Sequence, residues 1–206
     1  MRKQLPLLDP QTWDDRNDRY FMSLYKEKRE LGGLYGLCAA TCSETYHHWR
    51  VFTGTADGAC LELRRQPLEA MLRELEGVRF GEVDYLHLDK VEELTPKDVQ
   101  RLPFVKRLGF TAEAEYRITA ETTEPQLPAL SIDLPLDLIG RVELNPWLPA
   151  SLAESVTKTL KGLPGCEKLP IRRSRLIDSD RWKKAGDRVV GRTPPAKLRI
   201  RRTKKV

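Results

Sequence analysis

No apolar run in these 206 residues approaches the roughly 20 needed to cross a bilayer, and the opening MRKQLPLLDP lacks the long apolar region of a signal peptide. Both absences predict a cytoplasmic protein with no membrane partner. Cysteine is scarce. Cys38, Cys42, Cys60 and Cys166, in a chain with no export signal, are expected as reduced thiols and not as a disulfide scaffold. No glycine-rich phosphate loop is visible, because Gly32, Gly33 and Gly36 fit neither common spacing. Internal repeats are absent too, which excludes solenoids and propellers.

What is present is charge, unevenly placed. Hydrophobic content of 40% with 32% charged residues excludes a wholly disordered chain. The net charge of +6 conceals an asymmetry: residues 181–206 hold eleven Lys and Arg against one Asp, whereas the remainder has 25 against 29 acidic residues. A mildly acidic body with a basic end predicts one domain over 1–180 and a basic, flexible tail over 181–206. Nucleic acid is the expected partner of that tail through Arg181, Lys183, Lys184, Arg199, Arg201, Arg202, Lys204 and Lys205.

Along the chain, Asp9–Pro10 and Thr12 carry helix-start chemistry, predicting a helix to about Leu31 that Gly32 and Gly33 stop. LYGLCAATC (34–42) and GACLEL (58–63) read as buried strands, with a helical segment through Trp49 between them. Leu68, Met71, Leu72 and Leu75 recur at helical spacing. Residues 78–88 alternate imperfectly around Gly81, where a bulge or turn is expected, and Thr95–Pro96 are placed as N-cap and first helical residue. FTAEAEYRITA (110–120) predicts a strand with Tyr116 and Ile118 on one face and Glu113, Glu115 and Arg117 on the other. A strand over 136–144, a helix from Pro149 N-capped by Ser151, and a last strand over 169–177 follow. The irregular alternation predicts an α+β class: a single mixed-sheet domain with flanking helices and a basic C-terminal tail.

Three groups of residues carry chemistry. Cys38, Cys42, His47, His48 and Cys60 are zinc-ligand types, but two of the thiols lie in a strand-like run and not at a turn, so no metal site is expected. His48, beside Trp49, has a side chain able to act as acid or base near neutrality. Glu115 and Arg117 on one strand face form either an ion-pair ladder or a site in which the guanidinium holds a phosphate or carboxylate while a glutamate takes part in chemistry. Asp14, Asp15, Asn17 and Asp18 are expected as helix caps more than as cation ligands.

The order of blocks is also familiar. Pro10, Trp13, Asn17 and Asp18 precede Cys42–Ser43, Trp49 with Phe52, and G-x-C-L-x-L at Gly58, Cys60, Leu61 and Leu63. Val83 and Tyr85, E-x-E-Y-R-I (Glu113 to Ile118), and Ser174 with Leu176 follow. Across residues 7 to about 178 this resembles a widespread bacterial domain-of-unknown-function family, DUF2971, in an N-terminally shortened form that lacks the family's first, tyrosine-rich strand. Arg19 stands where the family has proline, and Thr53–Gly54–Thr55 replaces its aromatic-histidine-glycine pattern. A fold-level analogy is similar in kind: a late strand bearing a glutamate resembles the catalytic strand of ADP-ribosyltransferase toxins that modify nucleic acid. That analogy implies Glu115 as catalytic residue, with Arg117, His48 and Trp49 near NAD.

The expectation is therefore an uncharacterised bacterial or phage protein that binds or acts on nucleic acid, in a setting such as phage–host conflict. The alternatives are an NAD-using ADP-ribosyltransferase-like enzyme with Glu115, Arg117 and His48 in its site, and a non-enzymatic adaptor. No cofactor is specified by the residues themselves.

Overall fold

The computed structural model of the chain describes residues 3–192. Gln4–Leu8 (β1), Gly33–Ala40 (β2), Val78–Glu82 (β4), Glu115–Thr122 (β7) and Ala129–Asp133 (β8) form an antiparallel five-stranded sheet in the order β4-β7-β2-β1-β8. A smaller sheet pairs Ala59–Leu63 (β3) antiparallel and Ile171–Arg173 (β10) parallel with Ile139–Leu144 (β9). Asp84–Leu86 (β5) and Val105–Arg107 (β6) make a short parallel pair. The flanking helices are Arg16–Lys28 (α1), Tyr46–Phe52 (α2), Arg65–Arg73 (α3), Leu88–Glu92 (α4), Ala150–Lys161 (α5) and Asp180–Val189 (α6). The α+β class read from the sequence is the class observed.

The period-two alternation of β2 and β7 separates two chemistries. Tyr35 and Leu37 on β2, with Tyr116, Ile118 and Ala120 on β7, face Leu5, Leu7 and the Leu68 and Leu72 side of α3. This is the main apolar core, and each fully buried side chain such as Leu7 or Leu72 contributes about 1.5–3 kcal/mol. The opposite face carries Leu34 and Gly36 on β2 and Glu115, Arg117 and Thr119 on β7. Over it lie α1, with Met22 and Tyr25, and the 3-10 helix Pro96–Phe104, with Val99 and Leu102. That 3-10 helix starts as the sequence predicts, at a Thr95–Asp98 capping box. A third, smaller core joins Val142 and Leu144 of β9 to Leu148 and Ala153.

Several expectations are corrected. A strand, β1, precedes the Asn17–Asp18 block. Its burial alternates around Pro6, which is tolerated because β1 pairs with β2 only at Leu8↔Gly36, leaving most of that side without a ladder. Asp9 caps only the 3-10 turn Pro10–Thr12, and α1 starts later, at N-cap Asp15, and ends at Lys28. β3 is not buried: it is an edge strand, and Ala59 through Glu62 are exposed. β4 runs through Gly81 without a bulge, paired there with Arg117. Residues 110–113 belong to the 3-10 helix Leu108–Glu113, and Ala114, at φ 45°, turns the chain into β7. β8 forms despite the flanking prolines. Leu136–Leu138 is a 3-10 turn ahead of β9. α5 begins at N-cap Pro149 with no side-chain cap, so Ser151 lies inside it. The last strand is shorter than expected, and the tail opens as a helix, α6, capped by Ser179.

Gly36 sets the spacing of the polar face. A Cβ there would lie 2.5 Å from Cζ2 of Trp13, the ring that rests against Arg117. Gly36→Ala is expected to cost about 1–3 kcal/mol by overpacking. Urea unfolding of the variant checks this, and an unchanged midpoint would show that Trp13 can yield.

Candidate functional site

The side chains singled out on β7 meet partners from three other elements. Arg117 is fully buried. Its Nε donates to Glu115 Oε1 at 2.6 Å, and Nη1 donates to Asp18 Oδ1 at 3.2 Å and to the Pro103 carbonyl at 2.8 Å. Nη2 donates to Asp18 Oδ2 at 2.9 Å, which makes the Asp18 contact bidentate, and the Trp13 ring centroid lies 4.8 Å from the guanidinium carbon. Lys106, delivered by β6, donates to Glu113 Oε2 at 2.6 Å and Glu115 Oε2 at 3.0 Å and lies 3.5 Å from Asp18 Oδ2. Two cations thus hold three carboxylates in one closed cluster. The Tyr85 hydroxyl accepts from the backbone N–H of Glu115 at 2.8 Å and fixes the start of β7 against β5.

The protonation states follow from this packing. Burial disfavours the Glu115 anion, but the Arg117 hydrogen bond and charge, with Lys106, more than offset it and lower its pKa. Burial likewise disfavours the Lys106 cation, and Glu115, Glu113 and Asp18 reverse that and raise its pKa. Asp18 moves the other way: desolvation outweighs Arg117 and raises it. Cys38, opposite Arg117 in the strand pairing, is solvent-accessible, yet the protein packed around it and the Glu115 charge raise its pKa and keep the thiol protonated. It is no poised nucleophile.

His48 enters the same neighbourhood from α2, whose N-cap Thr45 accepts from the His48 backbone N–H. The His48 Nε2 lies 3.0 Å from the Glu113 carbonyl, a contact that requires Nε2 to carry the proton. Its Nδ1 lies 4.0 Å from Cys42 Sγ. The three residues expected as catalytic therefore lie close together, but His48 is connected to Glu115 and Arg117 only through Glu113. Both Glu115 oxygens and all three Arg117 nitrogens already have partners, so this arrangement ties the sheet to α1 and to Pro96–Phe104 and presents no open carboxylate or guanidinium to a ligand. Glu113 joins through Lys106 and not by strand alternation, which Ala114 interrupts. Further along the same face, Tyr25 donates to Glu121 Oε1 at 2.6 Å and accepts from Arg79 Nη1 at 2.7 Å, extending the polar layer.

Of the residues expected to meet nucleic acid, Arg181, Lys183 and Lys184 lie exposed on α6, where Lys183 pairs with Asp178. Arg199, Arg201, Arg202, Lys204 and Lys205 lie outside the described residues. Among the described residues no group of His, Cys, Asp and Glu is arranged to hold a metal ion, and no helix is long and apolar enough to cross a membrane. Sequence reasoning missed Lys106, for which no pattern signals a partner, and assigned Asp18 to capping, whereas Asp15 caps and Asp18 pairs with Arg117. It also missed Glu143 on β9, a buried carboxylate held by Arg141 and Arg172.

Arg117→Ala strands two buried carboxylates and is expected to lose about 3–5 kcal/mol of stability in chemical denaturation. Arg117→Lys recovers only part of this, because it cannot reproduce the bidentate contact. Glu115 has a folded-state pKa below its ordinary 4.5, so its ionised form contributes stability above that value and loses it as pH falls through the folded value. Melting temperatures of wild type and Glu115→Gln should accordingly differ most above pH 4.5 and converge as the pH is lowered.

No protein-family model matches this chain, and no curated protein or solved structure matches it at a significant level; the resemblance to DUF2971 rests on its sequence blocks alone.

Proposed function

We propose that this chain binds nucleic acid and that the basic C-terminal segment beginning with α6 makes the electrostatic contact. The observation that carries this reading is the character of α6. It buries no residue, and Trp182 is 82% exposed between Arg181 and the Lys183–Lys184 pair. An indole placed in water among cations is poorly explained by packing and well suited to stacking on a base while its neighbours meet phosphates. The charge difference between residues 181–206 and the rest of the chain supports the same reading. A nucleic-acid partner in phage–host conflict remains part of this proposal.

Transfer of ADP-ribose from NAD with Glu115 as the catalytic carboxylate is the weaker reading. It requires Glu115 to leave Arg117 and Lys106 before it can meet a substrate, and each release would uncover a buried charge.

Removal of residues 179–206 is expected to abolish most binding of a fluorescent oligonucleotide. In the intact chain, engagement of about three cations should weaken affinity on the order of 10-fold between about 50 and 200 mM salt. Affinity that survives truncation unchanged, or is insensitive to salt, contradicts the assignment.

A further inference from the structure

On the side of the small sheet, α2 and the turn after β9 build a second surface of mixed aromatic and cationic character, in which Tyr46 and Arg50 are exposed and Trp147 is half-buried. Tyr46 and Trp147 meet edge-on, with ring centroids 5.5 Å apart. The Arg50 guanidinium lies 4.0 Å from the Trp147 centroid and 5.2 Å from that of Tyr46, and its Nε donates to the Tyr46 hydroxyl at 3.0 Å. The platform is fixed from below by Asn145, which is fully buried. Its Oδ1 accepts from the Trp147 backbone N–H at 2.9 Å. Its Nδ2 donates to Thr53 Oγ1 and to the Thr55 carbonyl, both at 3.1 Å, just beyond the end of α2. One satisfied amide thus locks the two halves of the surface together.

Next to it, Arg173 of β10 donates to the Pro146 carbonyl, immediately before Trp147, and lines a groove of about 420 Å³ against α5 with Ala150, Ala153, Glu154, Thr157 and Lys158. The first turn of α5 above this groove has no side-chain cap and no acidic residue. Among the described residues Arg50, Lys158 and Arg173 form no ion pair; Glu154 lines the groove and the charge of Arg173 reaches Asp178, so three cations in one strip face two carboxylates.

We propose that this strip is a binding site for single-stranded nucleic acid, with a base stacked on the Tyr46–Arg50–Trp147 platform and the adjoining phosphate held by Arg173 and Lys158. The inference rests on the nucleic-acid reading above and deepens it by naming the strand form and a site on the folded body. The exposed Tyr46 ring and the guanidinium seated over Trp147 can each meet an unpaired base face, whereas a duplex keeps its base faces stacked inside. The phosphate positions supply affinity without sequence preference.

The test uses the full chain with fluorescein-labelled oligo(dT), oligo(U) and a mixed duplex of equal length. The variant Tyr46→Ala/Arg50→Ala removes exposed side chains only, and its melting temperature is checked first; Lys158→Gln is a second variant at the groove. Wild type is expected to prefer both single strands over the duplex. The double variant should lose about 10-fold in single-strand affinity, with duplex binding unchanged. Equal binding of duplex and single strand by wild type, or wild-type affinity in both variants, overturns the proposal. Truncation of residues 179–206 separates the two readings. If truncation removes binding and the platform variants do not, the strip fails and the tail stands. If the variants remove single-strand preference while the truncated chain keeps it, the strip stands and the tail fails.

Discussion

The burial of Arg117 is the constraint on which the rest of the fold depends. A guanidinium cannot be deprotonated to escape its desolvation cost, so each of its three nitrogens must find a partner. The chain supplies them from widely separated positions: Glu115 two residues away on the same strand, Asp18 from α1 and the Pro103 carbonyl from the 3-10 helix. Satisfying one side chain therefore docks both covering elements onto the central strands. Gly36 and Trp13 belong to the same solution, the glycine leaving room for the ring that closes over the cation. Lys106 completes it by engaging the carboxylate edges that Arg117 leaves.

That arrangement divides the molecule by chemistry. The charged residues around β7 are turned inward and neutralise one another, whereas the cations of α2 and α6 are exposed, and among the described residues Arg50, Arg181 and Lys184 form no ion pair. An inward, saturated cluster organises a fold, and an outward, uncompensated one attracts a ligand of opposite sign. Under the proposed function nucleic acid meets the outward surfaces, and the glutamate–arginine pair belongs to the scaffold.

How much of this could be read from the residues depends on whether the signal was local. The alternation of Tyr116 and Ile118 against Glu115 and Arg117, the Thr95–Pro96 cap and the helical spacing of Leu68, Met71 and Leu72 are local, and those elements form as their patterns require. β1 was hidden because Pro6 interrupts a five-residue strand whose only marks are Leu5 and Leu7. β3 was misjudged because Cys60 and Leu61 are core types placed on a sheet edge, an environment that strand order decides and composition does not. The shared face of Glu115 and Arg117 was legible, but not their saturation, and His48 was set beside them only by the fold-level analogy. Asp18 and Lys106 reach the pair from 99 and 9 residues away, and no spacing rule announces such partners. The Tyr46–Arg50–Trp147 platform was likewise illegible, since it exists only after β9 brings Trp147 beside α2.

Hydrogen–deuterium exchange of the full chain, with and without a saturating single-stranded oligonucleotide, tests the division of the molecule most directly. The account predicts slowed exchange in residues 46–52, 145–148 and 171–192, with 16–28 and 115–122 unchanged. Protection confined to β2, β6 and β7 around Glu115 and Arg117 would contradict it and place the ligand at the cluster read here as scaffold.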